Sequence, residues 1–255
     1  MEMSPSRSHG KLFIVGIGPG GTEHLTKKAL DVLLGSEYII GNGTYLDQIK
    51  DITHDKKIIR SSMGGEVERA GKAVELGKDH IVSIISGGDA NVYGMAGIVL
   101  EVAQKAGDIE IEVIPGVTAI SAAASLLGAP LINDFAIISL SDLLTPQKII
   151  DHRLKCAADA DFVIALYNPK SRSRKENFGN ALDIIRKHRN ENTPAGIVKS
   201  ATREGETVIA TTLGKLMDFN DIIDMSTIVL IGNSESKLWK NRIITPRGYQ
   251  RKYEY

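Results

Sequence analysis

KLFIVGIGPGGTEHLTKKALDVLL, residues 11–34, is the stretch whose reading decides the fold. Lys11 to Gly16 reads as a strand, and Leu25 to Leu34 reads as a helix with Leu25, Ala29 and Leu33 on one face at i, i+4, i+8 spacing. Between them, Gly16-Ile17-Gly18-Pro19-Gly20-Gly21 satisfies the GxGxxG pattern of a dinucleotide-binding turn, with Glu37 at a suitable distance beyond it. Two details resist that reading. Pro19 has no backbone N–H to offer a pyrophosphate, and the helical periodicity starts only near Leu25, displaced from the glycines. Taken alone, the loop is equally well a strand-to-helix turn that needs glycine backbone angles.

Working outward, the same unit recurs. His80 to Ile85 reads as a strand that runs into Ser86-Gly87-Gly88-Asp89-Ala90-Asn91-Val92-Tyr93-Gly94, and Ile109 to Ile114 as a strand that runs into Pro115-Gly116-Val117-Thr118-Ala119. Tyr38 to Gly41 is a further strand, and helices are expected at Glu66–Leu76, Gly94–Ala106 and Ala119–Leu127. Short apolar strands alternating with helices predict an α/β protein with a largely parallel sheet. In such a sheet the three glycine turns share the carboxyl edge, where ligands bind. The second half reads as strands at Phe135–Leu140, Phe162–Tyr167, Ala195–Lys199, Thr207–Thr212 and Thr227–Ile231, with helices around Pro146–Ala158 and Asn177–His188. A short element is expected near Asp221, and turn residues at short intervals predict that some late strands are antiparallel.

Length and composition bound the rest. The chain of 255 residues suits two α/β lobes, expected at 11–133 and 134–255 with a linker at Leu131–Asp134, after a disordered tail at 1–10. Hydrophobic residues make up 42% and charged residues 24%, the balance of a globular protein rather than a disordered one. Basic and acidic residues both number 31, which removes the usual argument for a nucleic-acid partner. The cancellation hides an asymmetry: 17 acidic against 12 basic residues in 1–134, and 14 against 19 in 135–255. The single Cys156 rules out an internal disulfide, a Cys-based zinc site and an iron–sulfur cluster within this chain, and no metal site is expected. No apolar run approaches the roughly 20 residues of a membrane span, and MEMSPSRSHG lacks the apolar core of a signal peptide. A cytoplasmic protein without membrane contact is the expectation.

Individual residues carry bland readings too. Asp89 could cap a helix starting near Tyr93, Thr118 could cap the next, and Cys156 could pack as a small hydrophobe. His152 and His188 fall inside helical patterns. Arg186 to Arg189 read as a solvated helix face.

IVGIGPGGTEHLT, ISGGDANVYGMAGIVLE, IPGVTAISAAASLLGAPL and ALYNPKSRSR, in this order and spacing, resemble the tetrapyrrole methylase family over about Lys11 to Gly248. SLSDLLTP (139–146), LYNPKSRSR (166–174) and SATREGE (200–206) most resemble its C17-methyltransferases of cobalamin biosynthesis, which act on precorrin-3B or cobalt-precorrin-3 with ring contraction. The resemblance implies two α/β lobes around a cleft, a homodimer, S-adenosylmethionine as methyl donor and an anionic tetrapyrrole substrate. It implies cofactor contacts for Pro19, Gly87, Gly88, Asp89, Val92, Thr118, Ala119, Asn168 and a residue near Thr211, with Tyr93 and Tyr167 adjacent. Tyr45, Met63, Ser141, Arg172 and Arg174 are the substrate candidates, the arginines because guanidinium pairs with carboxylates bidentately. Asp142 is the candidate general base, with a helix-capping role as the alternative. Asn42 and Gln147 depart from the family pattern, where an aromatic residue and Trp are expected. Another methylase of the family acting at a different carbon is the alternative function; a nucleotide-binding oxidoreductase or sensor module is the alternative of a different class.

Overall fold

The structure, a computed structural model, describes residues 10–62, 64–171 and 173–254. Of the expected tail at 1–10, all but Gly10 lies outside the described residues. The chain divides into two units, Met1–Ala119 and Ile120–Tyr255.

In the first unit β1 (Lys11–Gly16) is followed by α1 (Lys27–Gly35), β2 (Tyr38–Asn42), α2 (Gly43–Gln48), β3 (Lys57–Ser61), α3 (Glu66–Leu76), β4 (Ile81–Ser86), α4 (Ala96–Ala106) and β5 (Glu110–Ile114). The five strands form one sheet in the order β3-β2-β4-β1-β5, parallel throughout. Parallel neighbours need crossover connections, which the helices supply, and a sheet covered on both faces needs strands apolar on both. Leu12, Ile14, Val82 and Ile84 pack with Ala70, Ala73 and Val99 on one side. On the other, Val15, Ile39, Ile85 and Ile114 pack with Ala29 and Leu33.

The second unit opens with α5 (Ala119–Leu127), whose first residue closes the first unit, and β6 (Gly128–Ala129). There follow β7 (Phe135–Ser139), α6 (Gln147–Asp159), β8 (Val163–Tyr167), α7 (Asn177–Arg186), β9 (Pro194–Lys199), β10 (Thr207–Thr212), β11 (Thr227–Ile231), β12 (Lys237–Trp239) and β13 (Arg242–Ile244). The main sheet runs β10-β9-β11-β8-β7, with β7 and β8 parallel and the other pairs antiparallel. Its core gathers around fully buried Phe178 with Ile164, Leu166, Leu182, Ile197 and Val229. A small sheet, β12-β13-β6, completes the unit. Among the described residues no helix is long and apolar enough to cross a membrane.

The division falls ahead of the linker expected at 131–134, because α5 is held by the second unit. The Ile120 N–H donates to the Tyr167 hydroxyl at 2.8 Å, Leu127 occupies the space a side chain on Gly196 would need, and β6 pairs with β13. Other differences have local causes. Helix α1 starts at Lys27 rather than Leu25, because Thr26 caps it by accepting from Ala29 N–H at 3.1 Å. Helix α4 starts at Ala96, not Gly94. The element expected near Asp221 is a turn following a 3-10 stretch at Leu213–Phe219. β3, α2 and the β12–β13 hairpin had no sequence signal: they are short, and β3 and β12 are largely exposed.

At the entry to the first sheet, Glu37 ties β2 to β4. Its Oε1 accepts from Ile81 N–H at 3.0 Å, and its Oε2 lies 3.1 Å from His80 Nδ1. The Ile81 amide above all holds its carboxyl below the ordinary value of 4.5, against the opposing effect of desolvation, with the His80 ring adding to the amide. A carboxyl lowered in the folded state stabilises above its unfolded pKa, and that contribution disappears as pH falls through the folded value. Glu37→Gln is therefore expected to give a shallower loss of stability than the wild type as pH falls below about 4.5, read by urea unfolding along a pH series. Parallel curves for the two proteins would remove Glu37 from the account.

Candidate functional site

β4, β1 and β5 are adjacent, so the turns that leave them stand side by side at one edge of the first sheet. The Gly18 and Gly88 amides exchange hydrogen bonds at 3.0 and 2.7 Å, an antiparallel bridge one step beyond the strands. A Cβ on Gly16 would lie 2.7 Å from the Gly116 nitrogen, and one on Gly116 would lie 2.7 Å from the Gly16 oxygen and closer still to that of Gly88. Backbone packs directly on backbone, which only glycine permits. Gly88 further requires φ of +67°, in the left-handed region.

Asp89 does not cap a helix at Tyr93. Its Oδ1 accepts from Asn91 N–H at 2.8 Å and its Oδ2 from Gly116 N–H at 2.9 Å, so the carboxylate stitches the β4 turn to the β5 turn. Ser86 Oγ accepts from Met95 N–H at 3.3 Å and closes the same turn behind it. Pro19 is buried in the β1 turn, Val92, Thr118 and Ala119 are half-buried, and Tyr93 is exposed at φ of +53°. Tyr45, on α2, lays its ring against Gly87 in the space a side chain there would need. The structure thus brings Tyr45 to the cofactor candidates of the first unit. Met63 and Arg172 lie outside the described residues.

The charge of this junction is distinctive. Residues 16–22, 86–95 and 115–119 contain no Lys, Arg or His, and Asp89 is their single charged group. Five residues, including a single 3-10 turn at Thr22–His24, separate Gly21 from the start of α1 at Lys27, so the N-terminus of α1 does not meet the glycines. A pyrophosphate would find no cation in these three turns.

In the second unit, Tyr167 ends β8 with its ring buried and its hydroxyl on Ile120 N–H. Asn168 follows at φ of +50° and donates through Nδ2 to Ser139 Oγ at 2.9 Å; the same oxygen accepts from Ser141 N–H at 3.3 Å. Ser139, which the sequence did not single out, is the hub of this corner. Thr211 is buried on β10 in the row Thr211–Ala195–Ile231–Ile164. It stands three strands from β8, about 14 Å at ~4.8 Å per strand, and is not brought to Asn168.

Asp142 caps no helix: α6 starts at Gln147 behind Pro146. Asp142 is exposed, and its Oδ1 lies 3.6 Å from Arg174 Nε. Lys170 Nζ donates to the Asn220 carbonyl at 3.0 Å and its Oδ1 at 3.1 Å. Arg189 departs from the solvated face expected of it. Its side chain is 5% exposed, with Nη1 3.2 Å from Asp161 and Nη2 donating to the Phe162 carbonyl at 3.1 Å. Desolvation lowers its pKa, opposed by Asp161. Cys156, expected to pack as a small hydrophobe, is exposed, because it falls off the Ile150–Leu154–Ala157 stripe of α6; its Sγ is 3.7 Å from exposed His152 Nε2. His188 sits 3.2 Å from Asp159.

The family model of the Tetrapyrrole (Corrin/Porphyrin) Methylases matches residues 11–217. The chain is 46% identical over 254 residues to a protein of Archaeoglobus fulgidus named "Cobalamin biosynthesis protein CbiHC", covering 99% of this chain and 55% of that one. It is 47% identical over 240 residues to the Salmonella typhimurium protein named "Probable cobalt-factor III C(17)-methyltransferase", covering 93% and 99%. The solved structure of the methyltransferase CobJ superposes with a TM-score of 0.87 at 31% identity, over 93% of this chain and 100% of that one. The chain spans about half the length of two of the curated relatives it matches.

Asp89→Ala strands two amides inside the junction and is expected to lower the unfolding free energy by about 1–3 kcal/mol. Asp89→Asn, which keeps an acceptor oxygen, is expected to lose less. Urea unfolding of the three proteins checks the order; an Ala variant as stable as the wild type would show that the stitch carries no energy.

Proposed function

The chain belongs to the tetrapyrrole (corrin/porphyrin) methylases, and from that membership we propose that it methylates C17 of a corrinoid precursor in cobalamin biosynthesis, with ring contraction. The substrate is of the precorrin-3B, cobalt-precorrin-3 or cobalt-factor III type, two of which appear in the names of its relatives. The observation that carries the reading is the cation-free glycine junction, which suits a zwitterionic sulfonium ligand and opposes a dinucleotide.

S-adenosylmethionine supplies an electrophilic methyl group on sulfur. We assign it to Pro19, Gly87, Gly88, Asp89, Val92, Tyr93, Thr118 and Ala119 in the first unit. Tyr167, Asn168 and Thr211 are assigned on motif position. The residues fit such a group: bare backbone lines the turns, and the one carboxylate is fixed by two amides rather than aimed outward. Rigid turns of this kind hold a donor in one orientation, and orientation is the main requirement of a direct displacement. An electron-rich ring carbon of the substrate is the nucleophile, so the chain need not offer one. Tyr45, Met63, Ser141, Arg172 and Arg174 are assigned to the macrocycle, Tyr45 because its ring already lies on the β4 turn. The same reading carries a cytoplasmic homodimer, whose mass light scattering would read.

S-adenosylhomocysteine is expected to raise the melting temperature, by mass action on the folded state, and NAD is not. A shift with NAD alone would overturn the methyltransferase reading. Incubation with cobalt-factor III and methyl-labelled S-adenosylmethionine is expected to add one labelled methyl to the macrocycle by mass spectrometry. Label on no product would reject the substrate assignment.

A further inference from the structure

The ion pair Asp142–Arg174 is a loose one. Arg174 Nε is buried and lacks a hydrogen-bond partner among the described residues, Asp142 Oδ1 stands off at 3.6 Å, and Nη2 meets the Met225 sulfur at 3.8 Å. A guanidinium that is only 19% exposed gains from a bidentate carboxylate, and Asp142 does not supply one. The backbone around Arg174 is set: its N–H donates to Ser171 Oγ at 3.2 Å and its carbonyl accepts from Ser171 N–H at 3.2 Å.

Met225 also lines a cavity of about 490 Å³ whose walls include Lys170 and Lys175. The acidic groups there are Asp221 and Asp224, and Asp224 is taken by Lys199 at 2.7 Å. Beside Asp142 in the chain, Leu143 and Leu144 are 75% and 92% exposed. Their segment is anchored at its start, where the Leu140 carbonyl accepts from Asn177 Nδ2 at 2.8 Å and Ser141 N–H donates to Ser139 Oγ. Cations around this cavity, with Arg174 joined to it through Met225 and bare leucines following Asp142 in the chain, match a ligand with carboxylates on its rim and an apolar face.

We propose that Asp142 is a place-holding counterion for Arg174, and that a rim carboxylate of the tetrapyrrole takes its place at the guanidinium while Leu143 and Leu144 cover the apolar macrocycle. Asp142 is then a specificity residue that competes with the substrate. It is not the general base. The inference rests on the proposed function, which names the polycarboxylate ligand.

The test is absorbance titration of the full chain with cobalt-factor III. Asp142→Asn is expected to tighten binding roughly two- to fivefold, the size of one partly exposed ion pair, and Arg174→Gln to weaken it. On the Arg174→Gln background, Asp142→Asn is expected to change nothing, since the competitor then has no target. Leu143→Ser with Leu144→Ser is expected to weaken binding in either background. Equal tightening with and without Arg174 would reduce the effect to general charge and overturn the proposal. Unchanged binding in Asp142→Asn, or a hundredfold fall in methylation rate with unchanged binding, would also overturn it, the latter in favour of a catalytic base. Wild-type chain that binds no cobalt-factor III would overturn the proposed function along with this inference; wild-type binding without the Asp142 effect would overturn this inference alone.

Discussion

The contact of backbone with backbone among Gly16, Gly88 and Gly116 is the constraint on which the first unit's site depends. Three adjacent parallel strands lie about 4.8 Å apart, so three turns leaving the same edge must share a space too narrow for side chains. The sheet order puts β4, β1 and β5 together, and the order in turn demands glycine at the three positions where the turns cross. With side chains gone, polar backbone groups crowd together and need partners. The Gly18–Gly88 bridge satisfies two pairs, and the Asp89 carboxylate satisfies the Gly116 amide that no strand can reach. One charged residue is therefore spent on architecture in a junction that otherwise holds none.

That allocation sets the chemistry each unit can perform. A junction of neutral backbone recognises shape and offers short hydrogen bonds, and it cannot draw in a polyanion. The second unit is the reverse. Its loop after β8 carries Lys170, Arg174 and Lys175, and of these Lys170 and Arg174 are held by neutral or incomplete partners rather than by tight carboxylates. The opposite charges of the two halves cancel over the whole chain, and on the proposed function the basic half offers its cations to the substrate's carboxylates.

Much of the fold is legible in the sequence itself. Strands buried on both faces announce themselves as apolar runs, so β1 and β4 are readable nearly in full; the edge strand β5, EIEVI, is marked by its β-branched residues and by the Pro115-Gly116 turn that follows it. The failures share a cause. β3 and α2 are short and partly exposed, so neither period nor composition separates them from loop. Arg189 lies in a basic run that looks solvated, yet carbonyls of Ala158 and Phe162, some thirty positions earlier, enclose it. Asp89 stands out in the sequence and its role does not, because its second partner is 27 positions away. Local sequence reports local partners, and these are tertiary.

Asn42 and Gln147 show the same distinction at the level of substrate. Both depart from the family pattern where an aromatic side chain is expected near the macrocycle. Asn42 is 5% exposed and caps α2 by accepting from Thr44 N–H at 2.9 Å, which leaves its carbonyl committed to the helix that presents Tyr45. Gln147 donates to Asp151 at 2.7 Å and accepts from Asn177 at 3.3 Å, and Asn177 in turn holds the Leu140 carbonyl at the base of the Asp142 segment. These hydrogen bonds commit both polar side chains to the protein itself. Each shapes the element that bears a residue assigned to the ligand: α2 carries the Tyr45 ring, and the segment after Leu140 carries Asp142, Leu143 and Leu144. On the proposed function, the apolar surface that an aromatic side chain would offer at these two positions has its counterpart in those neighbours, and the class of ligand is unchanged.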